Sequence, residues 1–522
     1  MRHRSGPVND RRLRVIGAPS AEPTPIARIA AERGVAANAA AQLAIQATTA
    51  AFTALLTVLL ARLLGPRDFG VLSVGMAVAS VASLVADFGV SHGAARFLAE
   101  RRAVPSGLRQ VVALALRVKT ALSVASVAAL WGLSLFAPDV FAEPEIGPVI
   151  RILALAVAGD SFMQFVAAAF QATGRIPAGL PMVLVKSTSE FVLTVTLVLA
   201  GTGVVGAALG RASGYVIGAL VGLGTLFAVL PRVGTNGEEG HGFDPVSTRR
   251  LFTYSSAILA IDATMILFNQ IDVLLVGALM GSASAGILAA PLRLTAFLQY
   301  PGLSLAAAIA PRLARAPDEQ RPRADTLMAG LRAIALLQFA VLPPVLLWGE
   351  AIMRFALGSR FDDSGAVLSG LALYVFLLGF GPLVTMSVNY LGDAAKRVPI
   401  AIAVLTLNAA VDVALIPVIG LAAPILGTSL SYTLYVAAHV RLLERTLALP
   451  LGSALGTVAR AAAAAVLTTL VLFLFVGRAP QGPWLLAALL GAVGLYTAAL
   501  LAVGERAPLR ALEAFRERYR RR

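Results

Sequence analysis

About fourteen apolar stretches, each near the length a bilayer-crossing helix requires, follow one another along this chain. A spanning helix needs roughly 20 mostly apolar residues. Such windows fall at 36–62, 69–90, 109–137, 147–173, 179–200, 203–230, 250–279, 285–311, 327–349, 364–391, 397–419, 421–447, 454–477 and 483–504. With 58% hydrophobic residues, mean hydropathy +0.81 and only 14% charged residues, the chain has too little polar surface to close into a soluble globule of 522 residues. The expected fold is all-α: a polytopic membrane protein with about fourteen spans.

The basic residues set its orientation. Alternate gaps, starting from the N-terminal tail, hold 35 of the 43 Lys and Arg; they include Lys119 in the 96–119 group and Lys186 beside Arg175. Cations near helix ends stay on the cytoplasmic side, where anionic lipids hold them. Both termini are therefore expected in the cytoplasm. The +15 net charge is then accounted for without nucleic acid. Residues 1–34 read as a disordered basic tail, because Arg11-Arg12 is followed by no export-signal pattern. After Gly504, Leu509, Leu512, Phe515 and Tyr519 among arginines predict an amphipathic helix on the inner membrane surface. The absence of cysteine excludes a disulfide framework, a thiolate nucleophile and a zinc-thiolate site. Nothing in the sequence calls for a cofactor or a metal.

The chain reads as a duplication. Gly65-Pro-Arg-Asp-Phe-Gly70-Val-Leu72 is answered by Gly281-Ser-Ala-Ser-Ala-Gly286-Ile-Leu288, 216 residues later. Gly203, Gly210 and Tyr215 are answered by Gly420, Gly427 and Tyr432 at an offset of 217, and Gln171-Ala-Thr-Gly174 by Asn389-Tyr-Leu-Gly392 at 218. An even number of spans per unit makes the halves parallel, a transporter architecture with the substrate between them. The expected organisation is an N-lobe over 35–230, a cytosolic linker over 231–249, a C-lobe over 250–447, two further helices over 448–504 and a basic tail over 505–522.

The stretch Leu59-Leu-Ala-Arg62-Leu-Leu-Gly-Pro-Arg-Asp-Phe-Gly70 resembles the first-helix signature of the polysaccharide or oligosaccharide flippases. Asp272 to Gly281 and on to Arg293, Asn408 through Pro417, and Gly420 to Tyr432 also fit that family. It belongs to the superfamily that contains the multidrug extrusion transporters and the peptidoglycan lipid-precursor flippase. The resemblance implies transport of an undecaprenyl-diphosphate-linked oligosaccharide between leaflets by alternating access, for cell-surface polysaccharide synthesis. Membrane lipids, and a glycan polymerase or glycosyltransferases, are the implied partners. It also implies cavity arginines that bind the diphosphate; Arg293 matches one by context, and Arg62 lies within the signature. The alternative is a cation-coupled multidrug antiporter of the same superfamily. An enzyme is not expected: the outer gap at 63–68 is tiny, and that at 350–363 has only Asp362-Asp363 as an adjacent acidic pair.

Charges inside spans are costly, so each needs a partner, a wet cavity or a ligand. Arg211 and Arg293 are the deep cations, and guanidinium forks suit phosphate oxygens. Asp272 and Arg293 fall at one level of the span seven–eight hairpin, so mutual neutralisation competes with substrate binding. Asp160, Glu190, Asp262 and Asp412 sit in spans four, five, seven and eleven, as ion-coupling or charge-pairing candidates. Asp87 reads as a gate or helix-end charge. Gly206, Gly210, Gly214, Gly218 and Gly222 form a four-residue ladder, which makes a smooth face for a neighbouring helix or lines the cavity.

Overall fold

The computed structural model describes residues 25–101, 105–229, 247–313, 320–476 and 481–505. The tail expected over 1–24, the linker through 246 and the amphipathic segment after 505 lie outside the described residues. The first described helix begins at Pro25, inside the segment read from sequence as a tail.

Among the described residues the fold contains helices and no strand. The N-lobe comprises α1 (Pro25–Asp87), α2 (Val90–Glu100), α3 (Pro105–Leu133), α4 (Ala137–Phe141), α5 (Ile146–Ala172), α6 (Leu180–Leu197) and α7 (Gly203–Val229). The C-lobe comprises α8 (Thr248–Met280), α9 (Ser282–Thr295), α10 (Tyr300–Leu313), α11 (Gln320–Leu357), α12 (Asp363–Gly370), α13 (Ala372–Leu378), α14 (Phe380–Tyr390), α15 (Arg397–Ile419) and α16 (Ala422–Leu447). Two more, α17 (Gly452–Val471) and α18 (Trp484–Ala502), pack on α11, where the Tyr496 hydroxyl donates to the Leu336 carbonyl at 3.0 Å.

Among the described residues, ten helical segments are long and apolar enough to cross a membrane. Two of them, Ala40–Glu100 and Ile176–Val229, run for 61 and 54 residues. At 1.5 Å per residue these exceed a hydrocarbon core of about 30 Å at least twofold, so the chain must turn inside each. It turns at glycine. Gly65 (φ 78°, ψ 177°) interrupts α1, and Gly201 and Gly203 separate α6 from α7. An L-residue with a side chain rarely adopts these angles.

The three landmark pairs share backbone geometry as well as sequence. Gly65 and Gly281 have φ of 78° and 86°, Gly203 and Gly420 have 56° and 58°, and Gly174 and Gly392 have 70° and 85°. Each half therefore reverses direction at matching positions with matching torsions.

The lobes meet where the duplicated motif faces its own copy. A methyl group on Gly70 would strike the Ser282 carbonyl, and one on Gly286 would strike the Pro66 carbonyl. Phe69 packs edge-on against Phe361 at 5.8 Å, and within the C-lobe the Ser364 hydroxyl ties α12 to α9 by donating to the Ile287 carbonyl at 2.9 Å. Arg62 crosses between lobes to the last carbonyls of α11, donating to Ala356 at 2.8 Å and Phe355 at 2.5 Å. A cation at a helix C-terminus satisfies orphan carbonyls and opposes the helix dipole. On the same end Arg354 bonds Asp362 at 2.6 Å and holds that carboxyl below its usual range. At the opposite end α2 approaches α8, with Gly89 and Gly93 against Ser255 and Leu251, and Phe88 against Phe252 at 5.4 Å.

This geometry refines a labelling test of orientation. Glu143 and Ser282, which lie in gaps read as external, are each only 5% exposed. Ala283 and Asp363 are exposed at that end, and Ser106 is exposed at the other. Single cysteines at Ala283 and Asp363 should react with an impermeant thiol reagent in intact cells, and one at Ser106 only after lysis. The reverse pattern would overturn the orientation.

Candidate functional site: a charged cavity between the lobes

A cavity of about 420 Å³ lies between the lobes and is lined from both. Its charged lining is Lys186, Glu190 and Arg211 from the N-lobe, with Asp272 and Arg293 from the C-lobe. The aromatic rings of Phe69, Tyr374 and Tyr432 complete the wall near Arg293 and Asp272.

The glycine ladder builds the N-lobe side. Gly210, Gly214, Gly218 and Gly222 of α7 stand against Thr194, Glu190, Lys186 and Met182 of α6, one helical turn per step. Gly206 faces Thr202 and Leu197. Close backbone approach presents Lys186, Glu190 and Thr194 on one face beside Arg211. The Lys186 ammonium pairs with Glu190 at 2.5 Å, the Arg211 guanidinium with Glu190 at 2.7 Å, and both cations lie over the Tyr215 ring at 4.2 and 5.3 Å.

Lys186 is the cavity residue that sequence reading missed. It was counted with the cytoplasmic gaps, yet it sits about 9 Å into α6, as six residues at 1.5 Å imply, and is largely buried. The available signal was its i,i+4 spacing to Glu190 inside an apolar helix. Lys119 is likewise drawn into the N-lobe: it is fully buried on Asp87 and Ser91. Asp87 is thus one half of an internal ion pair.

Asp272 and Arg293, for which mutual neutralisation competes with substrate binding in the sequence, form no ion pair in the structure. Asp272 accepts from the Asn408 amide and the Thr428 hydroxyl, one on each carboxylate oxygen. Arg293 makes no ion pair among the described residues. Its guanidinium lies 3.4 Å from the Met76 sulfur and 5.4 Å from the centre of the Phe69 ring. Equal depth in a hairpin does not fix azimuth: Asp272 turns toward α15 and α16, and Arg293 toward α1.

Around Asp272 stands an oxygen cluster. Asn408 and Asp412 are completely buried, and Asp412 sits close to Asp272. Neither Asp412 oxygen, nor the Asn408 side-chain carbonyl, receives a hydrogen bond. Each unsatisfied buried polar atom costs about 1–3 kcal/mol, so this cluster favours a proton or a hard cation. The donor set is oxygen only, which fits such an ion.

The other candidates fall elsewhere. Asp160 lines a side pocket of about 60 Å³ that also includes Arg211, and accepts from Gln164 at 2.7 Å. Asp262 lies in α8, with its side chain outside the described residues. Arg62 does not line the cavity; it holds the α11 carbonyls at the lobe interface.

The fold is shared with known membrane transporters. The structure titled "Lipid II flippase MurJ, inward closed conformation" superposes with TM-score 0.69 at 11% identity, covering 90% of this chain and 99% of that one. An inward-facing multidrug resistance MATE family transporter of the MOP superfamily gives 0.61 at 17% identity, covering 76% and 95%. The eukaryotic MATE transporter AtDTX14 gives 0.51 at 16%, covering 83% and 98%. No curated protein sequence matches. The architecture is therefore of the class of fold that these structures share. Within that class, the family described as "Polysaccharide biosynthesis protein" matches residues 59–366, more than half of the chain, and the chain belongs to it.

Proposed function

We propose that this protein is a flippase that carries an undecaprenyl-diphosphate-linked oligosaccharide from the inner to the outer leaflet of a bacterial cell membrane. The observation that carries the reading is Arg293: a deep guanidinium that faces a central cavity and has no carboxylate partner among the described residues. An unpaired buried cation is costly and calls for an anionic ligand. With Arg211 and Lys186 across the cavity, the site has the donors to grip two phosphates from opposite lobes. Rocking of the lobes around the lipid headgroup would then expose it to each leaflet in turn. The Asp272–Asn408–Asp412–Thr428 cluster would hold the coupling ion, as a proton or a monovalent cation.

The same fold serves multidrug export, and cavity charge discriminates the two uses. A surplus of arginine and lysine repels cationic drugs and attracts diphosphate. Deleting the protein should stop a surface glycan and leave its lipid-linked precursor in the inner leaflet, with drug resistance unchanged. Arg293→Ala should reproduce that block at normal membrane abundance. Normal glycan export in the deletion strain, together with new sensitivity to cationic dyes, would decide for the antiporter.

A further inference from the structure

The duplication allows the two lobes to be compared residue by residue at the cavity. At offsets of 217 and 218, Glu190 corresponds to Asn408, Thr194 to Asp412, Gly210 to Gly427 and Arg211 to Thr428. The scaffold is retained: a methyl on Gly210 would meet Thr194, and one on Gly427 would meet Asp412 and Asn408. The chemistry is inverted. In the C-lobe, amide and hydroxyl donors hold a carboxylate and leave oxygens open, whereas in the N-lobe a guanidinium and an ammonium converge on one carboxylate. The position that corresponds to Asp272 falls at Leu55 or Leu56, so the N-lobe copy has also lost that acid. Where the C-lobe copy lacks positive charge, the N-lobe copy carries two built-in cations.

We propose that Glu190 is an internal counter-anion for a two-cation receptor formed by Lys186 and Arg211, and that the anionic group of the cargo displaces it. This rests on the reading of the cavity as an anion site. Glu190 spends one oxygen on each cation: Oε1 on Arg211 and Oε2 on Lys186. A guanidinium has five N–H donors and an ammonium three, so both keep donors for a ligand. Glu190 is the one carboxylate that bonds both cations; Asp160 faces Arg211 from the side pocket and is bonded by Gln164, and Arg293 adds a cation across the cavity. The close contacts of Gly210 with the Thr194 backbone and of Gly214 with the Glu190 backbone fix α6, so exchange moves side chains and not the helix.

The arrangement sets a threshold for the ligand. A monoanionic phosphate offers the two cations little more than Glu190 already does. A diphosphate brings more charge and more acceptor oxygens, and so wins the exchange. Glu190 thereby rejects the phosphodiester headgroups that crowd the inner leaflet and admits a diphosphate.

The test uses full-length protein in nanodiscs of neutral lipid, with farnesyl diphosphate and, as the monophosphate, the monoanionic diester farnesyl methyl phosphate as probes. Glu190→Gln should bind the diphosphate about tenfold tighter, equivalent to ~1.4 kcal/mol. It should tighten on the monophosphate by more, so that the preference between them collapses. Lys186→Met should weaken the diphosphate about tenfold. Unchanged or weaker diphosphate binding by Glu190→Gln at wild-type melting temperature would overturn the proposal. If that variant does not fold, the charge-balanced pair Lys186→Met/Glu190→Gln takes its place; there the diphosphate preference must vanish, and its persistence overturns the idea. Failure of wild type and Glu190→Gln alike to bind diphosphate would remove the anion reading of the cavity too, whereas binding indifferent to Glu190 removes only the counter-anion.

Discussion

Asp412→Asn should uncouple transport from its driving ion while leaving the protein folded. Both Asp412 oxygens lack a donor, and so does the neighbouring Asn408 carbonyl. An asparagine at this position replaces one oxygen with an amide whose two N–H donors can serve the Asn408 carbonyl and the nearby Asp272 carboxylate. Satisfying one such atom recovers about 1–3 kcal/mol, so membrane abundance and melting temperature should hold or rise. What is lost is the negative charge that would retain a proton or cation. Gradient-driven transport in proteoliposomes should fall roughly a hundredfold, the order expected when an interaction of about 2.7 kcal/mol is removed. Asp272→Asn should behave differently, because Asn408 and Thr428 donate to separate carboxylate oxygens and an asparagine keeps an acceptor for only one of them. That variant should be less stable as well as inactive. Transport by Asp412→Asn that keeps wild-type dependence on the ion gradient would remove the cluster from the mechanism.

Much of the architecture was legible because it is written in residues that act alone. Gly65, Gly203 and Gly174 advertise their turns, since few other residues take those torsions, and their copies at Gly281, Gly420 and Gly392 expose the duplication. The ladder on α7 was readable as a smooth helix face for the same reason. What it packs against was not, because α6 carries no matching periodic mark. The charged residues were legible in depth but not in direction. Asp272 and Arg293 were placed at one level, yet helix rotation sends them to different neighbours. Arg62 finds its acceptors 293 and 294 residues away, on carbonyls that any residue type supplies. Lys119 and Lys186 failed for another reason: counting cations by gap assumes that each stays near a helix end. A buried carboxylate, Asp87 or Glu190, draws each lysine inward.

Gly286→Val should hold the two lobes apart at the end where α1 meets α9. At Gly70 and Gly286 the groups that a side chain would strike are the carbonyls of Ser282 and Pro66. These belong to backbone fixed within α9 and α1, and cannot swing away as a side-chain tip can. The lobes must therefore separate or the helices distort, and overpacking of a tight contact typically costs about 1–3 kcal/mol. Separation at that end also strains the Arg62 bonds to α11 and the Phe69–Phe361 contact, which span the same interface. The alternating access proposed above requires this face to close, so transport should drop at least tenfold. Gly286→Ala should give a smaller loss, and Gly70→Val should match Gly286→Val, because each glycine lies at the other's contact. Leu72 lines the cavity just beyond Gly70 and is 1% exposed in the closed arrangement. A cysteine there should react with an impermeant reagent from outside far faster in the Gly286→Val background than in otherwise unaltered protein. Equal reaction rates, with transport intact, would show that the glycine contact is not where the lobes close.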